Sequence, residues 1–174
     1  MDEALLDPER VERVIARVTE AGACAGLRHA GYHALDSLRI EKGFVHVGHD
    51  VGPTDDPFTA GLGHVVDLGK EFLGGDAARA ASTSPRSHRL ATVKLEDPEP
   101  LLLHGESVIA DGRIVGTVMS AAYAHTVGAA AGLAMVESAA LADTTVEIDV
   151  AGVPVKATLS AGPVYDPTGS RMRS

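Results

Sequence analysis

Gly31-Tyr32-His33-Ala34-Leu35-Asp36-Ser37-Leu38-Arg39-Ile40-Glu41-Lys42-Gly43-Phe44 is the stretch whose reading decides the fold. The spacing predicts a helix from about Gly31 to Lys42, with Ala34, Leu35 and Leu38 on one face. Upstream, Asp7-Pro8 can cap and open an earlier helix, because a cap carboxylate accepts free backbone N–H groups and Pro at the first helical position has none to lose. Val11, Val14, Ile15 and Val18 follow at helical spacing, Arg10, Glu12, Arg13 and Arg17 take other faces, and Gly22 is a plausible stop. This predicts an amphipathic helix with one buried stripe. The chain opens with Met1 and an acidic, helix-starting leader, as an open reading frame would; a natural small subunit, a truncated gene product and an expressed fragment all stay open.

Downstream, Phe44 to Val47 reads as extended, Pro53, Pro57 and three acids make a loop, and a short helix is expected near Glu71 to Ala81. Ala81-Ser82-Thr83-Ser84-Pro85-Arg86-Ser87 is small and polar, and a domain boundary belongs there, dividing the chain into 1–87 and 88–174. Beyond it the period changes to that of strands. Leu90, Val93 and Leu95 stand among polar positions, Asp111-Gly112 is a hairpin turn pair between Val108-Ile109 and Arg113-Ile114-Val115, and Ala151-Gly152 joins a second pair of strands. Several short strands with little helix predict a small barrel or sandwich.

Composition narrows the function. The 174 residues are 45% hydrophobic, enough for a packed core, but only 3% aromatic with no Trp, so Val, Leu, Ile and Ala must build it. A net charge of -9, from 24 acids against 15 bases, disfavours a nucleic acid partner. The single Cys24 excludes an internal disulfide and multi-cysteine metal sites, which fits a reducing cytoplasm. No basic region followed by an apolar stretch opens the chain, and the apolar run from Thr126 to Val136 is about half of the roughly 20 residues that span a bilayer. It reads as buried core, and no membrane partner is expected.

The chemistry of single residues is sparse. His29 with His33, and His46 with His49, form pairs that lack the third and fourth ligands of a metal site, so no metal is expected. Gly128 and Gly132 have the spacing of a close helix-packing motif, and Gly61-Leu62-Gly63 lacks the strand–loop–helix frame of a dinucleotide site. Cys24 sits among alanines with no positive neighbour to lower its pKa. Asp36, Asp50, Asp67 and Asp166 each read as solvated or capping carboxylates. No complete catalytic set is expected.

The segment Gly31 to Phe44 resembles a signature of the glycine-cleavage T-protein superfamily, and Asp50 to Gly63 and the ending Pro163 to Arg173 are similar to the branch fused behind FAD-dependent dimethylglycine and sarcosine dehydrogenases. The resemblance implies an α+β fold, the C-terminal remnant of a folate-binding domain followed by a small antiparallel β-barrel. It implies tetrahydrofolate as cofactor, FAD only in a missing domain or a partner chain, and a catalytic aspartate upstream of what this chain contains. Leu35 stands where simple T-proteins carry an arginine that contacts the folate tail, which favours the dehydrogenase-linked branch. Phe44 replaces the cysteine of the folate-dependent iron–sulfur-maintenance relatives and sets that branch aside.

On this resemblance the candidate folate-binding residues are Tyr32, Arg39 and Glu41. Tyr32 could offer a ring face and hydroxyl, or be a core tyrosine; Arg39 and Glu41 read either as site wall or as an ion-paired helix terminus that orients the next strand. The expected partner is an upstream chain with the FAD and folate domains, or a second copy. Two functions follow: a component of a folate-linked amine dehydrogenase or aminomethyltransferase acting on N-methyl amines, or a non-catalytic module that stabilises a partner.

Overall fold

The computed structural model describes residues 7–142 and 145–173. The acidic leader expected over residues 1–6 lies outside them. The described residues form two compact units, one ending at Tyr32 and one beginning at His33.

The first unit is a helix and its turn. Helix α1 (Pro8–Gly22) opens on Asp7, whose side chain accepts from the Glu9 N–H at 3.2 Å, with Pro8 in the first turn. It closes through a 3₁₀ turn at Ala23–Ala25, where Gly26 adopts φ 73° and the Leu27 N–H returns to the Gly22 carbonyl at 3.0 Å. No residue of α1 is buried. The stripe expected to be buried is exposed by about half: Val11 43%, Val14 55%, Ile15 52% and Val18 53%. Periodicity identified the helix, but periodicity says only that one face is apolar, not that something covers it.

The second unit carries α2 (Tyr32–Glu41, its first residue belonging to the unit before), α3 (Gly75–Thr83) and six strands: β1 (His88–Leu95), β2 (Ser107–Ala110), β3 (Arg113–Ala124), β4 (Ala129–Glu137), β5 (Thr145–Val150) and β6 (Val153–Ser160). Helix α3 lies later in the chain than its predicted span near Glu71 to Ala81. Phe44 to His46 forms no strand, and Val47 makes only an isolated bridge to Val51 across a tight turn at residues 48–50.

All strand pairs are antiparallel, and they close into a barrel in the order β1-β4-β3-β2-β5-β6, with β1 pairing β6 from Thr92–Ser160 to Leu95–Ala157. The fold is thus α+β with a closed six-stranded barrel. Asp111-Gly112 and Ala151-Gly152 turn the β2–β3 and β5–β6 hairpins, all four residues at positive φ as a type I′ turn requires. Closure leaves no long free edge, and Val93, Leu95, Val108, Val118, Val136 and Ile148 fill the interior, wholly inaccessible. Gly128 and Gly132 belong to a turn and a strand rather than a helix. A Cβ at Gly132 would come within 2.7 Å of the Ser120 carbonyl, so the glycine serves close strand approach.

Candidate functional site

Helix α2 meets the barrel through its polar side. Ser37, Ile40 and Glu41 are its buried residues, at the i, i+3, i+4 spacing of one helical face. Ser37 Oγ donates to the Tyr123 carbonyl at 2.7 Å. Glu41, 2% exposed, accepts the Thr126 N–H on Oε1 at 2.8 Å, and its own carbonyl accepts the Tyr165 N–H at 3.0 Å. Ile40 packs with Ala124 and Ala131 beneath these bonds. Hydrogen bonding lets this face be buried although two of its three side chains are polar.

The opposite, apolar side of α2 is open: Leu35 is 55% and Leu38 60% exposed. The shared face that periodicity assigned to Ala34, Leu35 and Leu38 therefore points away from the barrel.

The end of α2 is fixed by a second device. Gly43, at φ 69°, closes the helix with the Phe44 N–H bonded to the Arg39 carbonyl at 2.8 Å, so the chain reverses and delivers Asp50 beneath the helix. Arg39 donates from Nε to Asp36 at 2.9 Å and from Nη1 to Asp50 at 2.8 Å. Asp50 is fully buried and also accepts the His46 N–H at 2.7 Å and the Ser120 hydroxyl. Ser120 sits on β3 beside a register shift, where the strand departs from regular pairing. Two oxygens of one buried carboxylate thus join the helix, the turn and the barrel.

In the sequence Asp50 reads as a solvated or capping carboxylate; the structure buries it. The ligand set around it comes from residues up to 70 positions away, which no local spacing reveals.

A third contact ties down the C-terminal segment. Lys42 Nζ donates to the Asp166 carboxylate at 2.8 Å and to its carbonyl at 2.5 Å, while Asp166 also accepts from the Ser170 backbone and hydroxyl. The lysine, aided by those donors and opposed by partial burial, holds the Asp166 carboxyl down at about 2. Because that folded value lies below the ordinary 3.8, the contact stabilises fully above about pH 4 and is lost as pH falls toward 2. An NMR titration should place the Asp166 midpoint near 2, and Lys42→Met should return it toward 3.8. An unchanged midpoint in that variant would show that the lysine does not set it.

Of the residues proposed for folate, Arg39 and Glu41 converge on α2's junction with the barrel, with Arg39 13% exposed at its side chain. Tyr32 is 69% exposed. A cleft of about 820 Å³ lies in the second unit, bounded by Lys42, Phe44, His64, Leu133, Pro163 and Thr168. Among the described residues no three of His, Cys, Asp and Glu gather to hold a metal ion, and no helix is long and apolar enough to cross a membrane.

Residues 88–166 match the family model described as the glycine cleavage T-protein C-terminal barrel domain, and residues 3–70 match the GCVT N-terminal domain. A 4-methylaminobutanoate oxidase (formaldehyde-forming) of Paenarthrobacter nicotinovorans is 45% identical over 92% of this chain and 20% of its own length. An aminomethyltransferase of Streptomyces avermitilis is 32% identical over 94% of this chain and 45% of its own. A mitochondrial sarcosine dehydrogenase of Mus musculus is 37% identical over 66% of this chain and 12% of its own. The chain therefore spans less than half the length of these relatives. In fold it resembles the crystal structure of glycine cleavage system aminomethyltransferase T from Bartonella henselae, with a TM-score of 0.69 at 21% identity, over 77% of this chain and 38% of that one.

Proposed function

Because this chain belongs to the glycine-cleavage T-protein superfamily, we propose that it is the barrel-bearing component of a tetrahydrofolate-dependent enzyme of the aminomethyltransferase type, working on N-methyl amines and one-carbon units. Residues 1–87 then contribute part of a folate-binding domain and 88–174 the barrel that covers it. The observation that carries this reading is that α2 is pinned to the barrel by its polar face while its apolar face, with Leu35 and Leu38, stays open. A wall held this way suits a ligand whose remaining contacts come from another part of the enzyme.

Arg39 and Glu41 would act as positioning residues that fix the wall, and Tyr32 would present its ring and hydroxyl to the pterin or its aminobenzoyl portion. The catalytic aspartate and the FAD that oxidises the amine would belong to a preceding domain or a partner chain. A reducing, cytoplasmic setting fits the lone Cys24. A second reading, a non-catalytic module that stabilises a partner, draws on the same exposed apolar residues.

The test follows from the formaldehyde-forming relative. This chain is combined with the part of that oxidase outside the matched stretch, and 4-methylaminobutanoate is supplied. Adding tetrahydrofolate should lower free formaldehyde and raise methylenetetrahydrofolate only when this chain is present. Formaldehyde release indifferent to tetrahydrofolate would leave the stabilising module as the better account.

A further inference from the structure

We infer that the apolar stripe of α1 is a docking surface for the part of a T-protein N-terminal domain that the matched stretch does not include; this rests on the family reading but not on folate binding. Val11, Val14, Ile15 and Val18 are each exposed by between 43% and 55% and run along one side of a well-capped helix. At 3.6 residues per turn, Arg10 and Arg17 border the stripe along one edge and Glu12 along the other. An apolar band with one basic and one acidic edge specifies both a groove and an orientation in it, the pattern of helix-in-groove recognition. The partner groove should be apolar, with an acidic rim facing the arginines and a basic rim facing Glu12.

Two observations choose this occupant over a second copy of the chain. The stripe lies inside residues 3–70, which match the N-terminal domain family, while 55% of the aminomethyltransferase relative lies outside the aligned region, so polypeptide that could cover the helix exists in that relative. Self-pairing is the poorer fit by area: four half-exposed Val and Ile side chains cover roughly 300 Å² per copy, well short of the ~800 Å² per partner of a stable interface. Antiparallel self-pairing would also set the arginine edges against each other.

The experiment measures binding without tetrahydrofolate, so its outcome is separate from that of the folate test. The part of the Paenarthrobacter nicotinovorans oxidase outside the matched stretch is titrated with this chain and followed by sedimentation. The wild type should form a one-to-one complex. A Val14→Glu/Val18→Glu double variant, changed only at exposed positions and therefore expected to fold, should bind about 100-fold more weakly. Arg13→Ala, on the back of the helix where Arg13 pairs with Glu9, should bind within about twofold of wild type. No complex with the wild type, equal binding by the double variant, or a self-association of the chain that the double variant abolishes would each overturn the inference.

Discussion

Asp50→Ala should lower the stability of the second unit by about 3–5 kcal/mol, the cost of removing one partner from a buried ion pair. The side chain is wholly inaccessible and takes three donors: the Arg39 guanidinium, the His46 N–H and the Ser120 hydroxyl. Truncation leaves a nearly buried guanidinium with only Asp36 and a long contact to the Phe44 carbonyl, and a hydroxyl on β3 without its acceptor. Asp50→Asn keeps the shape but drops the charge, so it should cost less. Urea unfolding measures both. An Asp50→Ala midpoint indistinguishable from wild type would mean that α2 is held by the Ser37, Ile40 and Glu41 contacts alone.

Gly116→Ala should cost about 3 kcal/mol for an opposite reason, crowding rather than loss. A Cβ built on Gly116 would lie 2.4 Å from the Met135 carbonyl oxygen and 2.8 Å from Val136 Cα, both backbone atoms of the neighbouring strand β4. A side chain could rotate away, but a paired strand cannot without surrendering ladder hydrogen bonds. Gly112→Ala, at φ 72° with open space around it, separates the two effects: it should be destabilised by backbone strain alone, about 1 kcal/mol. If Gly116→Ala were as mild as Gly112→Ala, β3 and β4 would have to separate more readily than a closed barrel allows. Thermal unfolding of the two variants side by side reads the difference.

What the sequence revealed was local. Asp111-Gly112 and Ala151-Gly152 announced their hairpins because both turn residues are neighbours in the chain, and Asp7-Pro8 announced the start of α1 for the same reason. The barrel's strands followed from their alternation and turn spacing. Gly128 and Gly132 misled because a four-residue spacing means close packing in a helix but carries no such period in a strand, and a short apolar run reads either way.

The site was less legible because its bonds are long-range. Ser37 finds its acceptor 86 positions on, Glu41 its donor 85 positions on, and Lys42 its carboxylate 124 positions on. Asp36, Asp50 and Asp166 look alike as single letters in a polar context. Only the fold distinguishes the partly exposed partner of Arg39 from the buried hub and the C-terminal clasp. Helical periodicity likewise found an apolar side of α2 without saying that the polar side would be the one buried. Polar burial depends on finding partners, and partners are a property of the whole chain.

We propose that the chain holds one wall of a tetrahydrofolate site whose other walls lie elsewhere. Calorimetric titration with tetrahydrofolate tests it directly, first on the chain alone and then on its mixture with the part of the Paenarthrobacter nicotinovorans oxidase outside the matched stretch. That part of the oxidase titrated by itself is the control. Saturable binding in the mixture, with none in either component, is the predicted result. Binding by the chain alone would contradict the shared site, and no binding in any of the three would contradict the folate assignment itself.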